Sequence, residues 1–224
     1  MKIVSWNMNK RKSGCWEWLL ETHNPDYVLA QEASPLPQGL TATIQTTTKK
    51  SNRSAFYSRN SDHLNIRVGR DHGMGMVITE ANGVHFICVY ANLDFKPVNP
   101  PLLGMIASSV SYLRRYRSAK EILIAGDFNM DRRMDDNPTG SVFALKDTYP
   151  HNNFFNAIED MGFHDCMRKF RSTPVQTHRN ARSDYPWELD HMFVTEGLYS
   201  KLIKIDVVSA DALSDHDPII AKFA

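Results

Sequence analysis

The chain has 224 residues, 42% of them hydrophobic, enough to bury a sizeable core. Its formal net charge is +1, with 26 Lys and Arg against 25 Asp and Glu. That balance argues against a generic basic sleeve around nucleic acid, but leaves room for local positive charge beside an acidic cleft.

From the N-terminus, Ile3 to Trp6 is a short apolar strand followed by Asn7 and Asn9. Gly14 to His23 has helical spacing through Cys15, Trp18 and Leu19, and Asn24-Pro25-Asp26 breaks it. Tyr27 to Ala30 predicts a second strand, ended by Gln31-Glu32. Residues 34–52 read as loop, with an edge strand around Thr41 to Thr47. Ser54 to Ser58, Met74 to Thr79 and Val84 to Ala91 predict antiparallel strands, the last two joined by an Ala81-Asn82-Gly83 hairpin signal.

Pro100 to Arg117 predicts a helix that opens on prolines and carries Leu102, Leu103, Ile106, Val110 and Leu113 on one face. Glu121 to Ala125 predicts a buried strand ended by Gly126-Asp127, and Phe154 to Met161 a helix closed by Gly162. Trp187 to Val194, Ile203 to Ser209 and Pro218 to Phe223 complete the strands. Nothing divides the chain, so a single domain over 1–224 is expected. The hairpin signals favour a two-sheet sandwich with flanking helices over a doubly wound parallel sheet.

Cys15, Cys88 and Cys166 are widely spaced and odd in number, so reduced thiols are the simpler reading. The chain opens directly into a strand without a secretory pattern, and no run approaches the ~20 apolar residues of a membrane span. A cytoplasmic protein without a membrane role is expected. The sequence does not set an oligomeric state, and a monomer is the default.

Several apolar runs end in acids or amides. Asn7 and Asn9, Glu32, Asp127 and Asn129, Asp190 inside Leu189-Asp190-His191, and Asp215 and His216 inside Ser214-Asp215-His216-Asp217-Pro218 all fall at strand ends. Each has a plain alternative as a turn former, a cap or a buried ion pair. If the ends share one rim, the gathered carboxylates repel one another unless a proton or cation intervenes, and a hard divalent ion suits their oxygen donors. The cysteines do not cluster, so a thiolate zinc site is unsupported.

In order and rough spacing, Ser5-Trp6-Asn7, Gln31-Glu32, Gly126-Asp127-Phe128-Asn129, Leu189-Asp190-His191 and Ser214-Asp215-His216-Asp217-Pro218 resemble the endonuclease/exonuclease/phosphatase superfamily, of the deoxyribonuclease I and exonuclease III type. The resemblance runs from Ile3 to Ile219. It implies a four-layer α/β/β/α sandwich of two mainly antiparallel sheets flanked by helices, with the active site at one end. It also implies a phosphoesterase dependent on Mg²⁺ or Mn²⁺. Glu32 resembles the principal metal ligand, with Asn7, Asn9 and Asp215 beside it. Asp127 resembles the acid that orients or deprotonates water, and Asn129 the amide that bonds the phosphate. His216 resembles the phosphate-binding histidine, and Asp190 the acid that holds its other ring nitrogen.

One departure is the segment Val89-Tyr90-Ala91-Asn92-Leu93-Asp94, where many members carry a histidine. Tyr90 stands for the tyrosine that others use, or is a core aromatic. Asn92 falls at the histidine's place, as a candidate substrate contact. Basic residues adjoin the predicted site: Lys10-Arg11-Lys12, Arg132 and Arg133, then His178, Arg179 and Arg182, interleaved with Tyr185 and Trp187. Arg11, Arg132, His178 and Arg179 are candidate substrate contacts, since Arg and Lys hold phosphates and aromatics stack on bases. Lys10 to Lys12 also read as solvated loop charges. Asp135 and Asp136 read as loop surface in preference to a second ion site.

These features favour a nuclease acting on DNA or RNA. The alternative is a phosphatase or phosphodiesterase for a small phosphorylated metabolite or phosphoinositide. A non-catalytic binding protein is the third reading, and the near-complete set of acids argues against it.

Overall fold

The computed structural model describes residues 1–9, 14–41, 43–46, 53–60, 63–71, 74–91, 101–136, 150–180, 183–210 and 213–224. One six-stranded sheet holds β13 (Leu202–Val207), β14 (Ile219–Phe223), β1 (Lys2–Asn7), β2 (Tyr27–Gln31), β4 (Arg53–Ser58) and β3 (Thr43–Thr46), in that spatial order. The other orders β5 (Leu64–Asp71), β6 (Met74–Ala81), β7 (Val84–Tyr90), β8 (Glu121–Asp127), β12 (Asp190–Thr195) and β9 (Phe163–Asp165). A separate hairpin pairs β10 (His178–Asn180) with β11 (Ser183–Trp187).

Each large sheet is antiparallel except at one central pair, β1 with β2 and β7 with β8. A parallel pair needs a crossover, and here it is helical. Helix α1 (Cys15–His23) joins β1 to β2, and α2 (Pro101–Arg117) lies between β7 and β8. These two units are mixed-sheet insertions in an otherwise antiparallel design.

Strand alternation builds three apolar layers. Ile3, Leu29 and Phe56 of the first sheet face Phe86, Cys88, Leu123, Ala125 and Met192 of the second across the middle. Their neighbours point outward: Val4, Trp6, Val28 and Ala30 against Trp16 and Leu19 of α1. On the other side Ile87, Ile122, Ile124 and Phe193 meet Leu102, Ile106, Val110 and Leu113 of α2, and Phe154, Phe155 and Ile158 of α3 (His151–Asp160). The central strands are covered on both faces, which is why Ile122-Leu123-Ile124-Ala125 reads as an unbroken apolar run. The expected sandwich of two mainly antiparallel sheets flanked by helices is present.

The hairpin at Asn82 and Gly83 forms as expected, both with left-handed backbone (φ 51° and 74°), the geometry that matches strand twist. The edge strand expected near Thr41 to Thr47 is β3. The expected strand from Trp187 to Val194 is two elements: Glu188 and Leu189 leave the ladder between β11 and β12. Helix α4 (Glu196–Lys201) precedes β13 without a sequence signal, since six residues including Gly197 are too short for a helical period. Strand β5, in which Leu64, Ile66 and Val68 alternate with polar residues before Gly69-Arg70-Asp71, is absent from the strands expected from the sequence. No helix among the described residues is long and apolar enough to cross a membrane.

Candidate active site at the shared end of the two sheets

The parallel strands β1, β2, β7 and β8 present their C-terminal ends on one rim. Strands β12 and β14 run antiparallel to β8 and β1, so their first residues arrive there too. Asn7 pairs with Gln31 in one sheet, Tyr90 with Asp127 in the other, and Asp190 opposes Asp127. Strand ends are rigid, so side chains placed on them hold their relative positions.

Side-chain hydrogen bonds join the sheets at this rim. Asn7 Nδ2 donates to Asp127 Oδ2 at 2.9 Å, and Tyr90 OH donates to Glu32 Oε1 at 2.7 Å. Asp127 also accepts from Asn129, through the backbone N–H at 2.9 Å and Nδ2 at 3.1 Å, while Asn129 Nδ2 reaches the Ala91 carbonyl at 2.7 Å. Asn9 Nδ2 donates to Asp215 Oδ1 at 2.8 Å. Asn9, Glu32 and Asn129 all have positive φ (45°, 41° and 51°). For glutamate this conformation costs on the order of 1 kcal/mol, so neighbouring structure holds it there.

His216 Nδ1 lies 2.8 Å from Asp190 Oδ2, and both are buried. One ligand atom each of Asp127, Asp190 and His216 lie within 4.8 Å of one another. The loop carrying His216 is pinned to β1: Ser214 Oγ donates to the Asn7 carbonyl at 2.8 Å and accepts from His216 N–H at 3.0 Å. Trp6 Nε1 donates to the His216 carbonyl at 2.9 Å.

Burial pushes the Asp127 carboxyl up, and Asp190 adds to it. His216, Asn7 and Asn129 offset part of this, leaving it raised to about 7. Burial alone would lower the His216 imidazole, but the charge and hydrogen bond of Asp190, with Asp127 and Asp215, outweigh it and raise it to about 10. The site therefore holds an imidazolium at neutral pH. His178, its ring centroid 4.5 Å from that of His216, is depressed to about 4 by burial and by the His216 charge, and stays neutral.

Acidic and histidine groups able to hold a metal ion are thus present, and an observation supports that fit. Asp190 Oδ1 is buried without a hydrogen-bond partner among the described residues, and Asp127 places a second carboxylate beside it, oxygens that suit a hard cation.

Of the residues expected at the site, Asn7, Asn9, Glu32, Tyr90, Asp127, Asn129, Asp190, Asp215, His216 and His178 meet at this rim. Arg179 reaches it by its backbone N–H, which donates to the Asp215 carbonyl at 2.8 Å, but its guanidinium is bonded to Asp217 and to the Ser214 carbonyl. Arg132 is not brought to the cluster: its guanidinium bonds Asn156 and Glu159 and lies over the Phe155 ring, drawn away by α3. Arg11 and Asn92 lie outside the described residues, as do Lys10, Lys12 and Arg182. Asp135, expected as loop surface, accepts from the His151 and Asn152 N–H groups at 2.8 and 2.7 Å and so caps α3 from a distance.

Sequence reasoning passed over Thr177. It is fully buried, and its hydroxyl oxygen accepts from the N–H groups of Leu189 (2.9 Å) and Asp190 (3.0 Å), fixing the start of β12. It sits in an aperiodic stretch, and its partners are backbone groups, which leave no trace in side-chain pattern.

Against known proteins, a family model described as the endonuclease/exonuclease/phosphatase family matches residues 4–216. No curated protein sequence matches the chain. Among solved structures, a 3'-5' exonuclease (NExo) from Neisseria meningitidis superposes with a TM-score of 0.78 at 22% identity, covering 100% of this chain and 99% of that one. A point variant of the 3' phosphatase NExo from Neisseria, bound to a product DNA hairpin, gives 0.77 at 21%, with 100% and 99% covered. An AP endonuclease from Archaeoglobus fulgidus gives 0.74 at 18%, again covering 100% and 99%. At these identities the superpositions establish the shared fold. Together with the family match over nearly the whole length and the cluster of acids at the strand ends, they show that this chain belongs to the endonuclease/exonuclease/phosphatase family.

Proposed function

We propose that the chain is a divalent-metal-dependent nuclease that hydrolyses phosphodiester bonds of DNA or RNA. The observation that carries this is the Asp190–His216 pair beside Asp127, a buried imidazolium next to a carboxylate poised near neutrality. In-line hydrolysis needs an activated water, neutralised phosphoryl oxygens and a stabilised leaving oxygen.

Asp127, held by Asn7 and Asn129, is the group to orient the water and take its proton. His216, charged and oriented by Asp190, is the group to bind a non-bridging oxygen of the scissile phosphate. Asn129 offers its amide to the same phosphate. Glu32, with Asn7, Asn9 and Asp215, would hold Mg²⁺ or Mn²⁺, which when bound supplies charge neutralisation at the phosphoryl group. Tyr90, bonded to Glu32 rather than packed as a plain core aromatic, orients that carboxylate. We further assign the enzyme to the cytoplasm, in keeping with three buried cysteines that form no disulfide.

A second reading is a phosphatase or phosphodiesterase for smaller phosphate esters. The guanidiniums of Arg132 and Arg179 are engaged within the protein, which thins the basic rim that a long nucleic acid would use. The similar structure described as a 3' phosphatase, bound to a product DNA hairpin, supports phosphomonoester chemistry on DNA rather than on a small metabolite.

The test is hydrolysis of single- and double-stranded DNA, RNA and small phosphate mono- and diesters, with and without Mg²⁺ or Mn²⁺, beside an Asp127→Ala control. Metal-dependent cleavage of polynucleotide that the control lacks is the expected outcome. Turnover of small or terminal monoesters alone moves the protein to the second reading. Equal activity in the control overturns the catalytic assignment.

A further inference from the structure

A second buried group of titratable side chains lies on the other face of β12. Consecutive strand residues point to opposite faces, so His191 turns away from Asp190 and stands with Phe193 among the outward-facing side chains. One ligand atom each of Asp165, Glu188 and His191 lie within 4.8 Å of one another. The three residues are 8%, 1% and 4% exposed, and they border a cavity of about 150 Å³ shared with Asp131, Arg168 and Ser172.

The hydrogen bonds of His191 define its remaining nitrogen. Nε2 is 2.8 Å from the Met130 carbonyl oxygen, which only accepts, so Nε2 carries a hydrogen and donates it. In the neutral ring Nδ1 then keeps its lone pair. That nitrogen is buried, has no hydrogen-bond partner among the described residues, and faces Glu188 Oε1 at 3.8 Å. Two acceptors therefore face each other, and while Glu188 Oε1 already takes the Arg168 guanidinium, Nδ1 is left without a proton donor or a cation among the described residues. A histidine that binds a metal through one nitrogen while donating the other to a backbone carbonyl is a recurrent arrangement at metal centres.

The charges lean the same way. Asp131 is matched by Arg133. Arg168 serves both Asp165 and Glu188, so one guanidinium faces two carboxylates and a negative charge is left over in a site walled by Phe128 and Phe155. We propose that Asp165, Glu188 and His191 form a second cation site, separate from the candidate catalytic centre, that takes Zn²⁺ through His191 Nδ1 and one oxygen of each carboxylate. One imidazole and two carboxylates suit a borderline ion better than Mg²⁺, and ligand distances of about 2.0–2.2 Å ask the three atoms, which lie within 4.8 Å of one another, to draw together to roughly 3.5 Å, an adjustment within reach of side-chain rotation. The ion clamps β9, β12 and the segment between β11 and β12, the segment that delivers Asp190 to the rim. The proposal does not depend on the substrate of that rim.

The deciding experiment is anomalous diffraction at the zinc edge on wild-type crystals grown from chelator-stripped protein with added Zn²⁺. The expected result is a peak within bonding distance of His191 Nδ1 and both carboxylates. Zinc found only around Asp127, Asp190 and His216, or only at the molecular surface, overturns the proposal. A peak-free site does so as well. In solution, calorimetric Zn²⁺ titration should weaken about tenfold or more in His191→Gln and in Asp165→Asn, and should retain this binding step in Asp215→Asn. Unchanged binding in the first two variants, with their fold verified by circular dichroism, also overturns it. If neither variant folds, the wild-type diffraction result stands as the decision.

Discussion

Asp190 has no solvent exposure and two tasks: one oxygen fixes the His216 ring, and its charge keeps that ring protonated. Asp190→Asn keeps the shape but removes the charge. We expect kcat to fall by roughly 10³-fold or more, because loss of an orienting carboxylate beside a catalytic histidine has that order of effect elsewhere, and the melting temperature at neutral pH to fall as well, because the charge that holds the His216 proton is gone. Steady-state kinetics on the best substrate of the panel, with a thermal melt alongside, check this. The same pair makes stability depend on pH. In the folded chain the His216 proton persists to about pH 10, whereas the unfolded chain loses it near 6.5. The contribution is full below the lower value and is lost as pH rises through the upper one. Chelator-treated protein should therefore lose more melting temperature between about pH 7 and 10 than its His216→Gln variant. Parallel slopes for the two proteins would contradict the raised imidazole.

At the scale of elements, the site depends on how closely β7 and β8 approach. Gly126 precedes Asp127 with φ 152°, and a Cβ there would stand 1.9 Å from the Val89 carbonyl oxygen of β7. That neighbour is backbone in a parallel ladder and cannot swing aside. Gly126→Ala should destabilise the fold by about 3 kcal/mol or more, or displace Asp127 and abolish activity. Denaturant unfolding and a metal-dependent activity assay separate the two outcomes. The start of β12 is set in a different way, by the Thr177 hydroxyl on two backbone N–H groups. Thr177→Val keeps the volume and removes both bonds. It should lower kcat/KM about tenfold or more, since it moves Asp190 and with it the His216 ring that Asp190 orients toward the phosphate.

For the molecule as a whole, the layer between the sheets carries the cohesion. Phe86 is fully buried there, in ring contact with Tyr27 and Phe56 of the facing sheet. Phe86→Ala should cost about 3–5 kcal/mol, read by calorimetry, because the two sheets cannot collapse into the space a ring leaves. Much of this architecture is legible along the chain. Short apolar runs mark the strands that build the two-sheet core, Asn82-Gly83 marks the hairpin, and the prolines at 100 and 101 mark the opening of α2. Acids and amides at the ends of those runs name the candidates that meet at the rim. These signals are local, set by side-chain period and backbone preference, so sequence alone determines them. What only tertiary structure decided is which partners those groups take: Asn7 on Asp127 across the sheets, Tyr90 on Glu32, Arg132 turned to α3, Thr177 under Asp190, and His191 set against Glu188 and Asp165. Each joins residues distant in sequence or depends on a backbone group. Such contacts follow from sheet register and layer packing, and no periodicity along the chain encodes them.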